Sequence, residues 1–129
     1  ISQFEVNAVL RTSYNYGTVS GDATSLLEAA GILGHLKYST VKNSYNLGKV
    51  SGTCENASNL KLGGISQSNQ NATVTGSYYL KGTCASDANG TVKETISAND
   101  LLGWLNANRG ENSEWEIKAG QNNGYPVFK

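Results

Sequence analysis

Apolar and polar residues alternate in short runs along most of this chain. The segment Leu27–Ala29 reads Leu-Glu-Ala, and Leu60–Leu62 reads Leu-Lys-Leu. A period of two places the apolar side chains on one face of an extended strand, and glycines between the runs favour sharp turns. The spacing of three and four residues that an amphipathic helix requires is not sustained before the end of the chain. The pattern therefore predicts short β-strands separated by turns.

The alternating pattern recurs at a nearly constant spacing. Residues 13–21 read SYNYGTVSG and residues 44–52 read SYNLGKVSG, which gives seven identities in nine positions at an offset of 31 residues. A second register, at an offset of 33, matches Leu27, Gly31, Ile32, Val41, Ser44 and Tyr45 with Leu60, Gly64, Ile65, Val74, Ser77 and Tyr78. Self-similarity of this length is typical of a repeat architecture.

A unit of a few short strands cannot bury an apolar face by itself, so neighbouring units must stack about 4.8 Å apart. We therefore expect an all-β fold, a parallel β-helix-like solenoid of about three repeats. Equivalent residues would form rows along the stack, with Val19 beside Val50 and Ile32 beside Ile65. A β-sandwich whose hairpins resemble one another is the alternative fold.

The pattern changes near the end of the chain. Ser97 stands three residues before Asp100, and apolar residues follow it at helical positions. This is the spacing of a helix capping box. We predict one short helix over residues 98–107, with Trp104 as a capping residue. A strand beginning at Trp115, an Asn-Gly turn and a final extended piece should follow.

These elements predict how the chain is organised. Residues 1–129 form a single repeat domain, in which residues 1–92 hold the repeats and residues 93–129 form a C-terminal cap of helix and strand. An open stack exposes unpaired strand edges, so we expect the cap to cover its end. Removal of residues 97–129 would then expose those edges.

Several of the repeated phrases resemble those of a known family. The motifs AGILG (30–34) and GGIS (63–66), each followed by Val-x-x-Ser-Tyr, look like GLUG repeats. These repeats occur in large bacterial surface and secreted proteins, including the non-catalytic part of some IgA1-protease precursors. The resemblance covers most of residues 9–80, and this sequence has serine at positions 13, 44 and 77, where many members have cysteine.

The resemblance implies an extracellular location, in a bacterial protein that is secreted or anchored at the cell surface. Similar endings, with a helix, a tryptophan and Gly-Tyr-Pro, close many GLUG-repeat regions, so we expect residue 129 to lie at or near a true boundary. The chain enters partway through a repeat and contains no methionine. We interpret it as a mature product or an excised piece of a larger protein.

Composition narrows the classes of partner. Ten basic residues balance ten acidic ones, so no overall field favours nucleic acid or an anionic membrane. No apolar run approaches the length that would insert this segment into a membrane.

Cys54 and Cys84 each end a Gly-Thr-Cys triplet. Their matching context fits a disulfide between adjacent repeats in an oxidising compartment, and two buried thiols fit equally well.

The sequence offers little for catalysis or metal binding. His35 is the single histidine and follows Gly34, so we interpret it as a turn residue rather than as part of a catalytic triad. One histidine and two distant cysteines do not make a zinc site. Residues 87–90 begin like a calcium loop but lack its closing glutamate. We predict no catalytic residues, no metal and no cofactor.

One row of residues remains as a candidate binding site. Tyr14, Tyr45 and Tyr78 occupy one repeat position, and an exposed aromatic row suits sugar rings or protein partners. Rings that stack for stability are the structural alternative.

The function that follows is a non-catalytic scaffold, spacer or adhesion module of a bacterial surface protein. Its partners would be neighbouring domains of the parent protein and a glycan or host protein. The alternative is a fragment of a β-helix carbohydrate-active enzyme.

Overall fold

The computed structural model describes residues 3–5, 8–84 and 90–129, which are mostly strands with one helix. The first repeat contains β1 (Gln3–Glu5), β2 (Val9–Arg11), β3 (Tyr14–Asn15), β4 (Val19–Ala23) and β5 (Leu27–Ala30). The second contains β6 (Leu33–Lys37), β7 (Thr40–Lys42), β8 (Tyr45–Asn46), β9 (Val50–Cys54) and β10 (Leu60–Gly63). The third contains β11 (Ser66–Gln70), β12 (Thr73–Thr75) and β13 (Tyr78–Leu80). After it come β14 (Thr91–Lys93), α1 (Ala98–Ala107), β15 (Trp115–Glu116) and β16 (Val127–Phe128).

The strands pair between repeats rather than within them. In the described part of the chain they form five parallel sheets, ordered β1-β6-β11, β2-β7-β12, β3-β8-β13-β14, β4-β9 and β5-β10. A sixth, antiparallel sheet joins β15 to β16. The prediction of an all-β chain with parallel sheets is therefore confirmed.

Most of the parallel pairs follow the two offsets that the sequence predicts, whereas β1 pairs with β6 at an offset of 32 and β14 pairs with β13 at an offset of 13. Val19 lies opposite Val50, an offset of 31 residues, and Leu27 lies opposite Leu60, an offset of 33. The offset changes because the connection from β9 to β10 contains residues 55–59, whereas the one from β4 to β5 contains only residues 24–26. The insertion lies in a turn, so it leaves the register of the strands on either side intact.

The corners of the repeats also recur. Thr12, Asn43 and Gly76 hold one corner position in the three repeats, with φ angles of 52°, 50° and 52°. Tyr38 and Asn71 hold a second corner, both at 49°. A left-handed residue bends the chain sharply, and asparagine and glycine adopt this conformation at low cost. The repeats therefore turn at the same places.

The repeated Tyr-Asn-x-Gly motif is explained by an amide contact between repeats. Asn46 is buried, and its side-chain amide donates to the carbonyl oxygens of Gly48 and Gly64, both at 3.0 Å. Its Oδ1 accepts a hydrogen bond from Asn15 Nδ2 at 2.9 Å. The asparagine thus shapes its own turn and ties it to the neighbouring repeats.

The repeated serines form a second polar row. The backbone N–H of Ser13 donates to Ser44 Oγ at 3.2 Å, and that of Ser44 donates to Ser77 Oγ at 3.1 Å. Each of these hydroxyls also donates to a carbonyl two residues earlier in its own repeat. A serine hydroxyl both donates and accepts, so it satisfies backbone groups that the corners would otherwise leave buried and unpaired.

Apolar residues from successive repeats share the core. One cluster contains Ile32, Leu33, Leu36, Val41, Ile65 and Tyr79. The backbone N–H of Ile32 donates to the carbonyl of Ile65 at 3.1 Å. Val50 is 2% exposed and packs with Val19 in another cluster. The predicted pairs, Val19 with Val50 and Ile32 with Ile65, are confirmed.

The two cysteines are free thiols at different repeat positions. Val50 donates its backbone N–H to Thr83 at 2.7 Å, much as Val19 donates to Lys49 at 2.8 Å. Cys84 follows Thr83 and therefore continues the row of Val19 and Val50, where it is buried. Cys54 lies four residues further along β9, so the matching triplets do not mark equivalent positions.

Two glycines provide a matched test of the contact between repeats. Gly17 and Gly48 occupy the same motif position. An added Cβ on Gly48 would overlap the carbonyl oxygen of Gly17. One on Gly17 would have, among the described residues, only Asn15 Oδ1 within 4 Å, at 3.6 Å. We predict that Gly48→Ala lowers the free energy of unfolding by about 2 kcal/mol or more, and Gly17→Ala by about 1 kcal/mol or less. Urea unfolding measures both, and equal losses would contradict the packing.

Candidate functional site

The three candidate tyrosines form a continuous row. Tyr14, Tyr45 and Tyr78 lie opposite one another in the sheet that contains β3, β8 and β13. The rings of Tyr14 and Tyr45 are stacked, with centroids 5.4 Å apart and planes 10° apart. Tyr45 is 0% exposed and Tyr78 is 7% exposed, and Tyr14 is half-buried. The expected row is present, but the rings of Tyr45 and Tyr78 are buried and only Tyr14 is partly exposed.

A C-terminal segment, residues 97–129, covers this tyrosine row. Trp115 lies 6.2 Å from Tyr14 and 5.5 Å from Tyr45 between ring centroids, and Trp104 lies 5.5 Å from Tyr78. The three tyrosines belong to three successive repeats, so the segment runs along the side of the repeats. That it also covers the open end stays a prediction.

Helix α1 begins and ends where the sequence predicts, at residues 98 and 107. Ser97 is its N-cap and accepts a hydrogen bond from the backbone N–H of Asp100 at 3.1 Å. Leu101 and Leu105 are buried against the tyrosine row. Trp104 joins that contact through Tyr78 of the third repeat, and Lys93 Nζ lies 4.2 Å from the centroid of its ring.

Buried polar contacts fix the segment in place. Asn43, at a corner of the second repeat, donates to the carbonyl of Leu105 and accepts from Trp115 Nε1, both at 2.7 Å. The hydroxyl of Tyr45 donates to the carbonyl of Pro126 at 2.5 Å and accepts from Asn122 at 2.6 Å. These partners are 62 to 81 residues apart in sequence, so no local pattern predicts them.

The row of buried tyrosines is thus structural. Burial removes each ring from water and stabilises the fold by about 2 kcal/mol or more per side chain. A ligand that stacked on these rings would have to displace Trp104 or Trp115 first. Burial of Tyr45 and Tyr78 therefore favours the structural alternative over a ligand-binding role for Tyr14, Tyr45 and Tyr78.

A polar cleft lies beside the covered row. It has a volume of about 390 Å³ and is lined by Arg11, Lys42, Thr75, Asn108, Arg109 and Glu111, among others. The first three lie opposite one another on β2, β7 and β12, and the others follow helix α1. We call these six residues the basic cleft. The sequence does not predict this cleft, because Arg11, Lys42 and Arg109 are far apart along the chain and only the fold brings them together.

A smaller aromatic surface remains exposed near the first repeat. Tyr16 is 43% exposed and Phe128 is 44% exposed. The ring of Tyr125 lies 5.8 Å from that of Tyr16, and Phe128 lies 5.5 Å from Tyr14. Phe128 therefore contacts the tyrosine row directly through Tyr14, whereas Tyr16 packs on Tyr125 of the C-terminal segment.

Among the other ionisable groups that the structure describes, His35 lies next to a carboxylate. His35 lies in β6 rather than in a turn, and its Nδ1 is 3.0 Å from Glu28 Oε2. Glu28 Oε1 also lies 4.0 Å from Lys61 Nζ. Glu28 and Lys61 therefore form a half-buried ion pair at the surface. Among residues 3–5, 8–84 and 90–129, no three His, Cys, Asp or Glu side chains are grouped to hold a metal ion. Most of the calcium-like segment 87–90 lies outside these residues.

Membrane insertion by a helix finds no support in the same ranges. None of the helices that the structure describes has the length and apolar character needed to cross a bilayer. This agrees with the expectation that this segment does not insert by a helix.

Burial changes the acidity of two tyrosines in the row. It raises the pKa of Tyr45 above its usual value, and the hydrogen bond from Asn122 partly opposes this rise. Burial also raises the pKa of Tyr78. Because the unfolded chain would release these protons at a lower pH, the stabilisation is complete below about pH 10 and declines as the pH rises further.

We predict that the free energy of unfolding falls steeply above about pH 10 and that Tyr45→Phe makes this fall shallower. Urea unfolding followed by tryptophan fluorescence, at steps from about pH 8 to about pH 11.5, measures the slope. Tyr38→Phe is the control, because Tyr38 is 49% exposed. Identical slopes for wild type and Tyr45→Phe would show that Tyr45 is not buried as described.

Comparisons of this chain with protein-family models, with characterised proteins and with solved structures found no match. The GLUG resemblance therefore depends on the quoted motifs alone. The function of this chain is therefore inferred from those motifs and from the geometry of the described residues.

Proposed function

We propose that this chain is a β-solenoid and a member of the GLUG-repeat family. Parallel pairing at offsets of 31 and 33 residues supports this, because each strand then contacts its counterpart in the next repeat. A β-sandwich of hairpins would instead pair consecutive strands in antiparallel fashion. The two recurring corners and the serine and asparagine rows support the same arrangement, because they repeat with the same period.

The proposed function is a non-catalytic repeat module of a bacterial cell-surface or secreted protein. It would hold neighbouring domains apart and serve as an adhesion surface for a glycan or a host protein. One observation supports this function most directly. The C-terminal segment packs on the tyrosines of all three repeats and covers them. Such a cover makes a rigid body from short strands, and rigidity is what a scaffold or a presented binding surface needs.

A fragment of a carbohydrate-active β-helix enzyme is the competing proposal. Glycoside hydrolysis needs two carboxyl groups about 5 to 9.5 Å apart across a groove. The basic cleft is lined by one carboxylate, Glu111. A second cleft, beside Ala29, is lined by the carboxylate of Glu28. Glu28 is already engaged by His35 and Lys61. These clefts favour binding over hydrolysis.

A turnover assay separates the two proposals. The purified chain is incubated with a panel of neutral and acidic polysaccharides, and released reducing ends and unsaturated uronates are measured against an authentic lyase and hydrolase. We expect no product above the no-protein blank. Product that forms with wild type and is lost in Glu28→Gln or Glu111→Gln would overturn the non-catalytic function.

A further inference from the structure

From the arrangement of charges in the basic cleft, we infer that this cleft binds an acidic oligosaccharide, through carboxylate or sulfate groups on a hydroxyl-bearing chain. This inference rests on the adhesion form of the proposed function and names its site and ligand class. It uses none of the tyrosines of the buried row.

Two cations lie side by side on adjacent strands of the cleft. Arg11 and Lys42 are partners in the parallel register of β2 and β7, which places their backbones about 4.8 Å apart. Like charges directly opposite one another on adjacent strands are destabilising. Neither side chain makes an ion pair with any residue that the structure describes. A bound anion would relieve this repulsion.

A third cation reaches the cleft from the C-terminal segment. Arg109 is half-buried, and its Nη1 donates to the carbonyl of Asn112 at 3.1 Å. This bond uses one of the five guanidinium N–H donors and fixes the side chain. Arg109 likewise has no ion-pair partner in the described part of the chain. A guanidinium held in this way is suited to a planar carboxylate or a sulfate.

Neutral polar groups complete the lining. Thr75 continues the row of Arg11 and Lys42 into the third repeat and offers a hydroxyl in place of a third charge. The side-chain amide of Asn108 is held by the hydroxyl of Tyr78 and the carbonyl of Trp104, both at 2.9 Å. Hydroxyl and amide groups next to cations suit a ligand that carries hydroxyls as well as acidic groups, which favours a saccharide over a free inorganic anion.

The charges in the cleft leave an excess of two positive charges. Arg11, Lys42 and Arg109 face a single carboxylate, Glu111, which is exposed. The chain as a whole is neutral, so this local excess is a segregation of charge rather than a reflection of composition. Because an open site is screened by salt, binding should weaken as the ionic strength rises.

Titration calorimetry with the full chain tests the inference. The probes are a heparin oligosaccharide, a polygalacturonate oligosaccharide and a neutral dextran oligosaccharide of equal length, at about 50 mM and about 500 mM salt. We expect one or both acidic probes to bind at low salt, more weakly at high salt, and more tightly than dextran. Inorganic sulfate is a competitor, and if it alone binds as tightly as the oligosaccharides, the saccharide assignment is wrong.

Charge-matched variants locate the site. The double variant Arg11→Gln with Lys42→Gln should weaken acidic-oligosaccharide binding about tenfold at low salt. The control, Lys37→Gln with Lys49→Gln, removes the same charge outside the cleft and should change the affinity about twofold or less. Glu111→Gln should strengthen binding about twofold, because it removes the opposing carboxylate.

Arg109→Gln provides an independent variant in case the double substitution disturbs the sheet. It should weaken binding about fivefold, with a melting temperature close to that of wild type. Equal weakening by the cleft variant and the control would overturn the site while leaving adhesion in place. Dextran binding as tightly as both acidic probes would overturn the ligand class. Neither result bears on turnover, which decides the proposed non-catalytic function separately.

Discussion

In-register parallel pairing between successive repeats is the constraint on which the rest of the structure depends. It places Tyr45 between Tyr14 and Tyr78, and it places Arg11 beside Lys42. Rows of identical or similar side chains arise directly from this pairing. Each repeat presents equivalent residues on the same face, next to those of the neighbouring repeat. An extra two residues are tolerated only in a turn, where they do not move the strands out of register.

The rows have different consequences on different faces. Where the row is aromatic, it would leave an exposed apolar stripe, and the C-terminal segment buries that stripe under Leu101, Leu105 and Trp115. Where the row is basic, no part of the described chain covers it, and it lines an open cleft. One repeat period therefore produces both the tyrosine row under the C-terminal segment and the proposed ligand site, and residues that follow helix α1 line that site.

Sequence patterns predicted the local elements and the register well. Periodicity and helix capping are local signals. They were therefore sufficient to predict the offsets of 31 and 33 residues, the Val19–Val50 pair and the helix over residues 98–107. The location of the C-terminal segment was not, since it depends on contacts such as that of Asn43 with Trp115, 72 residues apart. Burial of the tyrosines could not be read from periodicity for the same reason. The basic cleft brings Arg11 together with Arg109, and only the fold makes them neighbours.

The direct test of the stacked arrangement is a nuclear Overhauser experiment on isotope-labelled protein. The account predicts contacts between the backbone amide and α protons of residues 31 or 33 apart, including Val19 with Val50 and Tyr45 with Tyr78. It also predicts no short contacts between α protons across the strands of the repeats, because these are typical of antiparallel pairs. Strong α-proton contacts between consecutive strands of one repeat, with none at the repeat offsets, would contradict it.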